Sequence, residues 1–167
     1  MPRVSEISDS KPMQSAPSSE RVHIAIFGRC NAGKSTLVNR LTGQDVAIVS
    51  PVAGTTTDPV QKAIEINGLG AAILIDTPGL DDNTLLGAER VARSAKVLDK
   101  TDIAIILFTE AGGENELRLM EECRIREIPT LIALAHIDRL ENHEAIKEEL
   151  ARVTNRDVVA ISALTGE

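Results

Sequence analysis

The sequence predicts one α/β domain with a six-stranded, mostly parallel sheet and helices on both of its faces. From Val22 onward, short β-branched runs alternate with amphipathic stretches, which is the pattern of such a sheet. The 167 residues are 43% hydrophobic and 26% charged, which is a globular composition. A chain of this length builds one sizeable core, but not comfortably two.

Five of the six predicted strands are continuous apolar runs, as expected where helices cover both faces of a sheet. They span residues 22–27, 71–75, 103–107, 130–135 and 158–161. The remaining strand, Val60–Ile66, mixes apolar with charged residues, so we expect it to be a half-exposed edge strand.

Four helices are predicted where apolar residues recur at helical spacing, at residues 35–41, 89–98, 114–126 and 142–153. Two long stretches, residues 42–59 and 77–87, have no such period. Loops of that length in a compact domain usually carry function.

The composition argues against several classes of protein. Residues 1–21 hold six Ser and three Pro and predict a flexible tail, which leaves 22–167 as the folded domain. The chain has 18 Lys and Arg against 25 Asp and Glu, no Trp or Tyr and only two Phe, so we expect no nucleic-acid partner. No apolar run is long enough for a membrane helix. Cys30 and Cys123 suggest neither a disulfide framework nor a zinc site, and a cytoplasmic location fits.

Residues 28–35 read GRCNAGKS and match the pattern GxxxxGK[ST] between a predicted strand and a predicted helix. Backbone N–H groups of such a loop converge on phosphate, Lys34 reaches the β and γ phosphates, and the Ser35 hydroxyl ligates Mg²⁺. The alternative is a glycine-containing turn with an incidental lysine. The pattern predicts the P-loop NTPase fold, with nucleotide bound by Gly28, Asn31, Ala32, Gly33, Lys34, Ser35 and Thr36.

A DxxG sequence, Asp76 to Gly79, follows the predicted strand 71–75. This placement predicts that Asp76 holds Mg²⁺ through water and that the Gly79 N–H senses the γ-phosphate.

The order and spacing of these motifs resemble the small translation-factor-class GTPases. That resemblance implies a Ras-like G domain that binds GTP and GDP. Residues 135–138 stand where the family has NKxD, whose Asp pairs with guanine N1 and N2. Asp138 is present, whereas Ala135 and His136 replace Asn and Lys. Asp138 has an alternative role as a helix cap. The resemblance also implies guanine contacts from the loop Ser162, Ala163 and Leu164.

The stretch 44–59 contains a GTT element that resembles the first switch of the family. The resemblance implies that Thr56 reaches Mg²⁺ and the γ-phosphate, and that Lys34, Thr56 and Gly79 are the catalytic residues. The neighbouring Thr55 is expected to contact the nucleotide. A solvated Thr/Gly-rich turn is the alternative.

Asn31 resembles the asparagine that ligates K⁺ in the potassium-activated branch of this class. Leu80 stands where Ras-like proteins carry a water-orienting Gln, so a K⁺ ion is expected to help stabilise the transition state. The resemblance implies that K⁺ is held by Asn31, Ser50, Val52 and Thr55. A simple turn role for Asn31 is the alternative.

Taken together, GRCNAGKS, DTPGLDD and above all Thr57 to Val60 (TDPV) resemble the FeFe-hydrogenase maturation GTPase (HydF) family. The resemblance implies a slow GTPase switch in a protein that assembles or transfers a di-iron subcluster. It implies as partners a cluster-binding domain, the FeFe-hydrogenase and a second copy in a homodimer. We expect this chain to lack iron–sulfur ligands, the closing helix and further domains. The alternatives are a tRNA-modification or ribosome-associated GTPase, and a binding-only switch with negligible hydrolysis.

Overall fold

The computed structural model describes residues 21–43, 60–81 and 87–167. The strands are Val22–Gly28 (β1), Val60–Ile66 (β2), Gly70–Asp76 (β3), Ile103–Phe108 (β4), Thr130–Leu134 (β5) and Val158–Ala160 (β6). The helices are Lys34–Thr42 (α1), Gly87–Leu98 (α2), Glu114–Ile125 (α3) and His143–Thr154 (α4), with a 3-10 turn at Ile137–Arg139. Each predicted element is confirmed, with ends that agree to within two residues.

The six strands form one sheet in the order β2-β3-β1-β4-β5-β6. A short turn at residues 67–69 joins β2 to β3, and this pair is antiparallel because so short a connection only reverses the chain. All other neighbouring pairs are parallel. As predicted, β2 is a half-exposed edge strand.

The centre of the sheet is β1, which pairs with β3 on one side and β4 on the other. The chain therefore places β2 and β3 on one side of β1, with β2 at the edge, and then crosses over to continue with β4 on the other side. In an open α/β sheet, ligands bind at the carboxyl ends of the strands beside such a switch point. The loop after β1 lies at that position.

The core is split by the sheet into two layers, because successive strand residues point to opposite faces. Phe27 packs in the larger layer, which α2, α3 and α4 cover. Ile26 packs in the smaller layer against Val38 of α1. Helices on both faces of a mostly parallel sheet confirm the predicted architecture. None of the described helices is long and apolar enough to span a membrane.

A buried carboxylate fastens α3 to the loop after β1. Glu116 is 1% exposed and shares a helix face with Leu119 and Cys123. Its Oε1 accepts a hydrogen bond from Arg29 Nε at 3.2 Å, and Arg29 Nη1 donates to Glu110 Oε1 at 2.8 Å. Burial alone would lower the pKa of Arg29, but these two carboxylates raise it. The loop is thereby tied to α3 and to the segment that precedes it.

Replacing Arg29 by Met should destabilise the fold by about 2 kcal/mol, because Glu116 would keep a buried charge without its partner. The cost is below that of a fully buried pair because the Arg29 side chain is 32% exposed. The free energy of unfolding is measured by urea denaturation of the unmodified chain, of Arg29→Met and of the double variant Arg29→Met/Glu116→Gln.

The double variant should regain most of the lost stability, since it removes the charge as well. Arg118→Met is the matched control, because Arg118 pairs with Glu114 at the surface and should change stability by less than about 0.5 kcal/mol. A double variant as unstable as Arg29→Met would contradict the role given to the pair.

Candidate nucleotide-binding site

Residues 29–33 form a tight loop between β1 and α1 at the switch point of the sheet. Gly33 has φ 89°, a left-handed conformation that favours glycine, and a Cβ there would lie 3.2 Å from His136 Cε1. Helix α1 begins as the Leu37 N–H bonds the Gly33 carbonyl at 2.8 Å. Among the described residues no side chain caps this helix start. Its first N–H groups and the positive end of its dipole thus suit an anion.

Lys34 is folded back into the loop and is 7% exposed. Its Nζ donates to the carbonyls of Gly28 at 3.0 Å and Arg29 at 2.7 Å. Burial lowers the pKa of this ammonium, while the nearby carboxylates, Asp76 foremost, oppose the shift. A buried cation is therefore held at the mouth of the loop by two backbone oxygens, and the carboxylates favour its charged form.

Ser35 and Asp76 meet beside Lys34. The Ser35 hydroxyl donates to Asp76 Oδ2 at 2.6 Å, and β3 positions this carboxylate by pairing Asp76 with Ile26 of β1. The second oxygen, Oδ1, is buried and has no hydrogen-bond partner in the described part of the chain. This site therefore offers a hydroxyl and a carboxylate that has one unsatisfied oxygen. Mg²⁺ prefers oxygen ligands of this kind, together with water and phosphate.

A larger ligand set of protein side chains is not present in the described ranges. No group of three or more His, Cys, Asp or Glu side chains is arranged there to hold a metal ion.

The DxxG segment runs from the end of β3 across the phosphate loop. Thr77 Oγ1 donates to the Ile26 carbonyl at 2.7 Å, and the Leu80 N–H donates to the Gly28 carbonyl at 3.1 Å. Gly79 lies so close that a Cβ would come within 2.7 Å of the Cys30 backbone nitrogen. This contact requires glycine at position 79.

His136 connects the loop after β5 to the phosphate loop. It has φ 60°, and its Nε2 lies 2.7 Å from the carbonyl oxygen of Asn31. A carbonyl only accepts, so Nε2 carries the proton in this bond. The ring therefore faces the phosphate loop.

Asp138 lies in the 3-10 turn after β5, and its side chain is 16% exposed. Its Oδ1 accepts a hydrogen bond from the buried Ser162 hydroxyl at 2.6 Å. This bond is the main cause of a lowered pKa for the Asp138 carboxyl. A fixed negative charge thus faces the same edge of the sheet as the phosphate loop.

The predicted site residues that the structure describes come together at this one edge. Thr36 lies on the exposed side of α1, and Ala163 and the exposed Leu164 form the turn after Ser162. The remaining predicted residues lie outside the described ranges: Ser50, Val52, Thr55 and Thr56. So does the predicted tail, apart from Arg21. Their roles stay predictions.

Two contributors to the site were not predicted from the sequence. Asp81 accepts a hydrogen bond from the Cys30 N–H, and Glu116 holds Arg29. Glu116 had a readable signal, since it occupies the apolar face of α3 with Leu119 and Cys123. No sequence pattern predicted the role of Asp81, because a single Asp soon after a glycine is also typical of an exposed turn.

Comparison with known proteins agrees with this arrangement. A family described as 50S ribosome-binding GTPase matches residues 23–161. The tRNA modification GTPase MnmE of Thermotoga maritima is 35% identical over 152 residues, which cover 87% of this chain and 33% of MnmE. GTPase Der of Lachnospira eligens is 30% identical over 162 residues, which cover 89% and 36%. The chain thus spans about a third of the length of these curated relatives.

Two solved structures match the fold. Era of Aquifex aeolicus bound to GDP and AlF4⁻ has a TM-score of 0.67 at 28% identity, covering 86% of this chain and 52% of that one. The cytosolic domain of T. maritima FeoB in its GMPPNP form has a TM-score of 0.63 at 27% identity, covering 87% and 58%. These matches confirm the predicted Ras-like G-domain fold. The chain belongs to the 50S ribosome-binding GTPase family and is a GTP-binding GTPase domain.

Proposed function

We propose that this domain binds GTP and Mg²⁺ at the loop between β1 and α1, hydrolyses GTP slowly and acts as a nucleotide-dependent switch. One observation carries the proposal. The buried Lys34 ammonium, the Ser35–Asp76 pair and the Gly79 backbone all lie around one loop at the centre of the sheet. Family membership supports GTP hydrolysis in general, and the residue roles below are our assignments.

The triphosphate binds over the start of α1. The N–H groups of residues 31–36 face the inner phosphates, and Lys34 turns from the Gly28 and Arg29 carbonyls towards the β and γ phosphates. Bound phosphate oxygens replace the backbone oxygens as acceptors. The ammonium therefore stays hydrogen-bonded throughout.

Mg²⁺ would be held by Ser35 and Asp76, with Thr56 as a further ligand. When bound, it neutralises charge that develops on the phosphates. The unsatisfied Oδ1 of Asp76 supports this assignment, because a buried carboxylate oxygen without a donor is costly unless a cation or water satisfies it.

Hydrolysis is attack of water on the γ-phosphate. Catalysis of this step rests mainly on positioning and electrostatic stabilisation. We assign Lys34 and the backbone N–H of Gly79 to the charge of the γ-phosphate, and Thr56 to Mg²⁺ and the same phosphate. Leu80 has no polar group with which to orient that water.

A K⁺ ion would stabilise the negative charge of the transition state, a role that an arginine side chain has in other GTPases. Asn31, with Ser50, Val52 and Thr55, is the proposed ligand set. The φ of 60° at Asn31 is equally compatible with a turn residue, so this assignment rests on the resemblance.

Guanine is read by Asp138, whose carboxylate accepts from N1–H and N2–H₂ together. The Ser162 hydroxyl fixes that carboxylate, and Ala163 and Leu164 continue the base loop. His136 takes the place of the usual lysine beside the base. Ala135 offers no side-chain contact to N7, so we expect weaker affinity than an intact NKxD would give.

We propose two biological roles for a protein that contains this domain, and we place it in the cytoplasm. The sequence Thr57 to Val60 supports maturation of FeFe-hydrogenase. MnmE, Der and Era support the alternative, a tRNA-modification or ribosome-associated GTPase, and do so more directly. Affinity purification of the protein from its native cells separates the roles: a bound iron–sulfur cluster supports the first, and tight binding of tRNA or ribosomal RNA supports the second.

Lys34→Ala should weaken GTP·Mg²⁺ binding at least about a hundredfold, because a charge-assisted contact to two phosphates is lost in a buried setting. Calorimetry is the suitable measurement, since the chain has neither Trp nor Tyr for fluorescence. Lys100→Ala, which removes an exposed lysine after α2, is the matched control. Unchanged affinity in a folded Lys34→Ala variant would refute the phosphate-loop assignment.

Single-turnover GTP hydrolysis should be faster by at least about tenfold in KCl than in NaCl of equal ionic strength, if K⁺ stabilises the transition state. Asn31→Gly should abolish the difference. Glycine is the right replacement because φ is 60° at this position, and it keeps the backbone carbonyl that contacts His136. Equal rates in the two salts would remove the potassium assignment and leave GTP hydrolysis standing.

A further inference from the structure

Residues 79–81 bind the first half of the phosphate loop. The Leu80 N–H donates to the Gly28 carbonyl at 3.1 Å, and the Asp81 carboxylate accepts a hydrogen bond from the Cys30 N–H. Between them, Gly79 packs against Cys30 with no space for a Cβ. Three consecutive residues thus hold the segment 28–30 in the conformation described.

Asp81 also contributes a negative charge beside Lys34. Three carboxylates act on the Lys34 ammonium: Asp76, Asp81 and Glu116. Asp76 is bonded to Ser35, and Glu116 is paired with Arg29. Asp81 differs from both because its hydrogen-bond donors include a backbone N–H of the phosphate loop itself.

The Asp81 carboxyl is well suited to remain ionised in this position. Partial burial alone would raise its pKa, but the bond from the Cys30 N–H lowers it. Hydrogen bonds from its own backbone and from the Cys30 side chain, and then the Arg29 charge, lower this pKa further. A carboxylate bonded to a loop N–H and close to the loop lysine resembles, in charge and in hydrogen bonding, an outer phosphate group.

The Asp81 carboxylate repels the three phosphates of a nucleotide to different extents. In a loop of this type, backbone N–H groups cradle the α and β phosphates, whereas the lysine reaches the β and γ phosphates. A negative charge near Lys34 and Cys30 therefore opposes the third phosphate more than the first two. GDP fits beside it with less repulsion than GTP.

We infer that Asp81 competes with the γ-phosphate for the phosphate loop and thereby sets the preference of the domain between GTP and GDP. Asp81 is thus a specificity-determining residue. GTP binding requires its carboxylate to leave the Cys30 N–H, whereas GDP binding does not. The inference rests on the proposed function, since it needs nucleotide at this loop.

The test is calorimetric titration of the full chain with GDP·Mg²⁺ and with the slowly hydrolysed analogue GTPγS·Mg²⁺. Asp81→Asn keeps an oxygen acceptor for the Cys30 N–H and removes the charge, whereas Asp81→Ala removes both. Asp157→Asn is the matched control. Asp157 precedes β6 and therefore lies at the amino ends of the parallel strands, away from the phosphate loop at their carboxyl ends. The GDP titration of each variant also reports whether it is folded.

Both Asp81 variants should bind GTPγS about tenfold more tightly relative to GDP than the unmodified chain does, with the larger change in Asp81→Ala. Their GDP affinities, and both affinities of Asp157→Asn, should stay within about twofold. An unchanged or lowered GTPγS-to-GDP preference in both variants would overturn the inference. If the unmodified chain bound neither nucleotide, the proposed function itself would fail.

Discussion

The burial of the Lys34 ammonium is the constraint on which the site depends. Its two hydrogen bonds to the carbonyls of Gly28 and Arg29 fold the loop around a charge that has little contact with water. Burying an ammonium is costly unless acceptors and opposite charges surround it. The contacts of Arg29 with Glu116, of Ser35 with Asp76 and of Cys30 with Asp81 bring those acidic groups close. A triphosphate supplies the same kind of compensation, which is why this loop suits one.

The position of the loop follows from the sheet. The chain places β3 on one side of β1 and β4 on the other, so residues after β1, β3 and β5 converge on the same edge. Asp76 comes to this edge from β3, and His136 and Asp138 come from the turn after β5. Hydrogen bonds join these segments directly, among them the bond from Ser35 to Asp76 and the bond from His136 to the Asn31 carbonyl. The residues that we propose for the phosphates and those that we propose for the base therefore lie next to one another.

Much of this was predictable from the sequence. Five of the six strands are apolar runs, and the loop residues follow a spacing that backbone geometry demands, so both leave a clear pattern in the sequence. The contacts that stabilise the loop leave no such pattern in the sequence. Cys30 with Asp81 and Arg29 with Glu116 join residues 51 and 87 positions apart, and only folding shows that they meet. The direction of the His136 ring belongs to the same class, because no local pattern says whether a histidine after a strand faces solvent or a neighbouring loop.

We propose that the loop after β1 and the turn after β5 together bind a guanine nucleotide. This binding can be followed by backbone amide NMR of the chain during titration with GDP·Mg²⁺ and then with ADP·Mg²⁺. GDP should shift the resonances of residues 28–35 and 136–138 and leave that of Asp157 unchanged. ADP should require at least about a hundredfold higher concentration for the same shifts. Shifts that avoid residues 28–35, or equal responses to GDP and ADP, would refute guanine-nucleotide binding at this loop and turn.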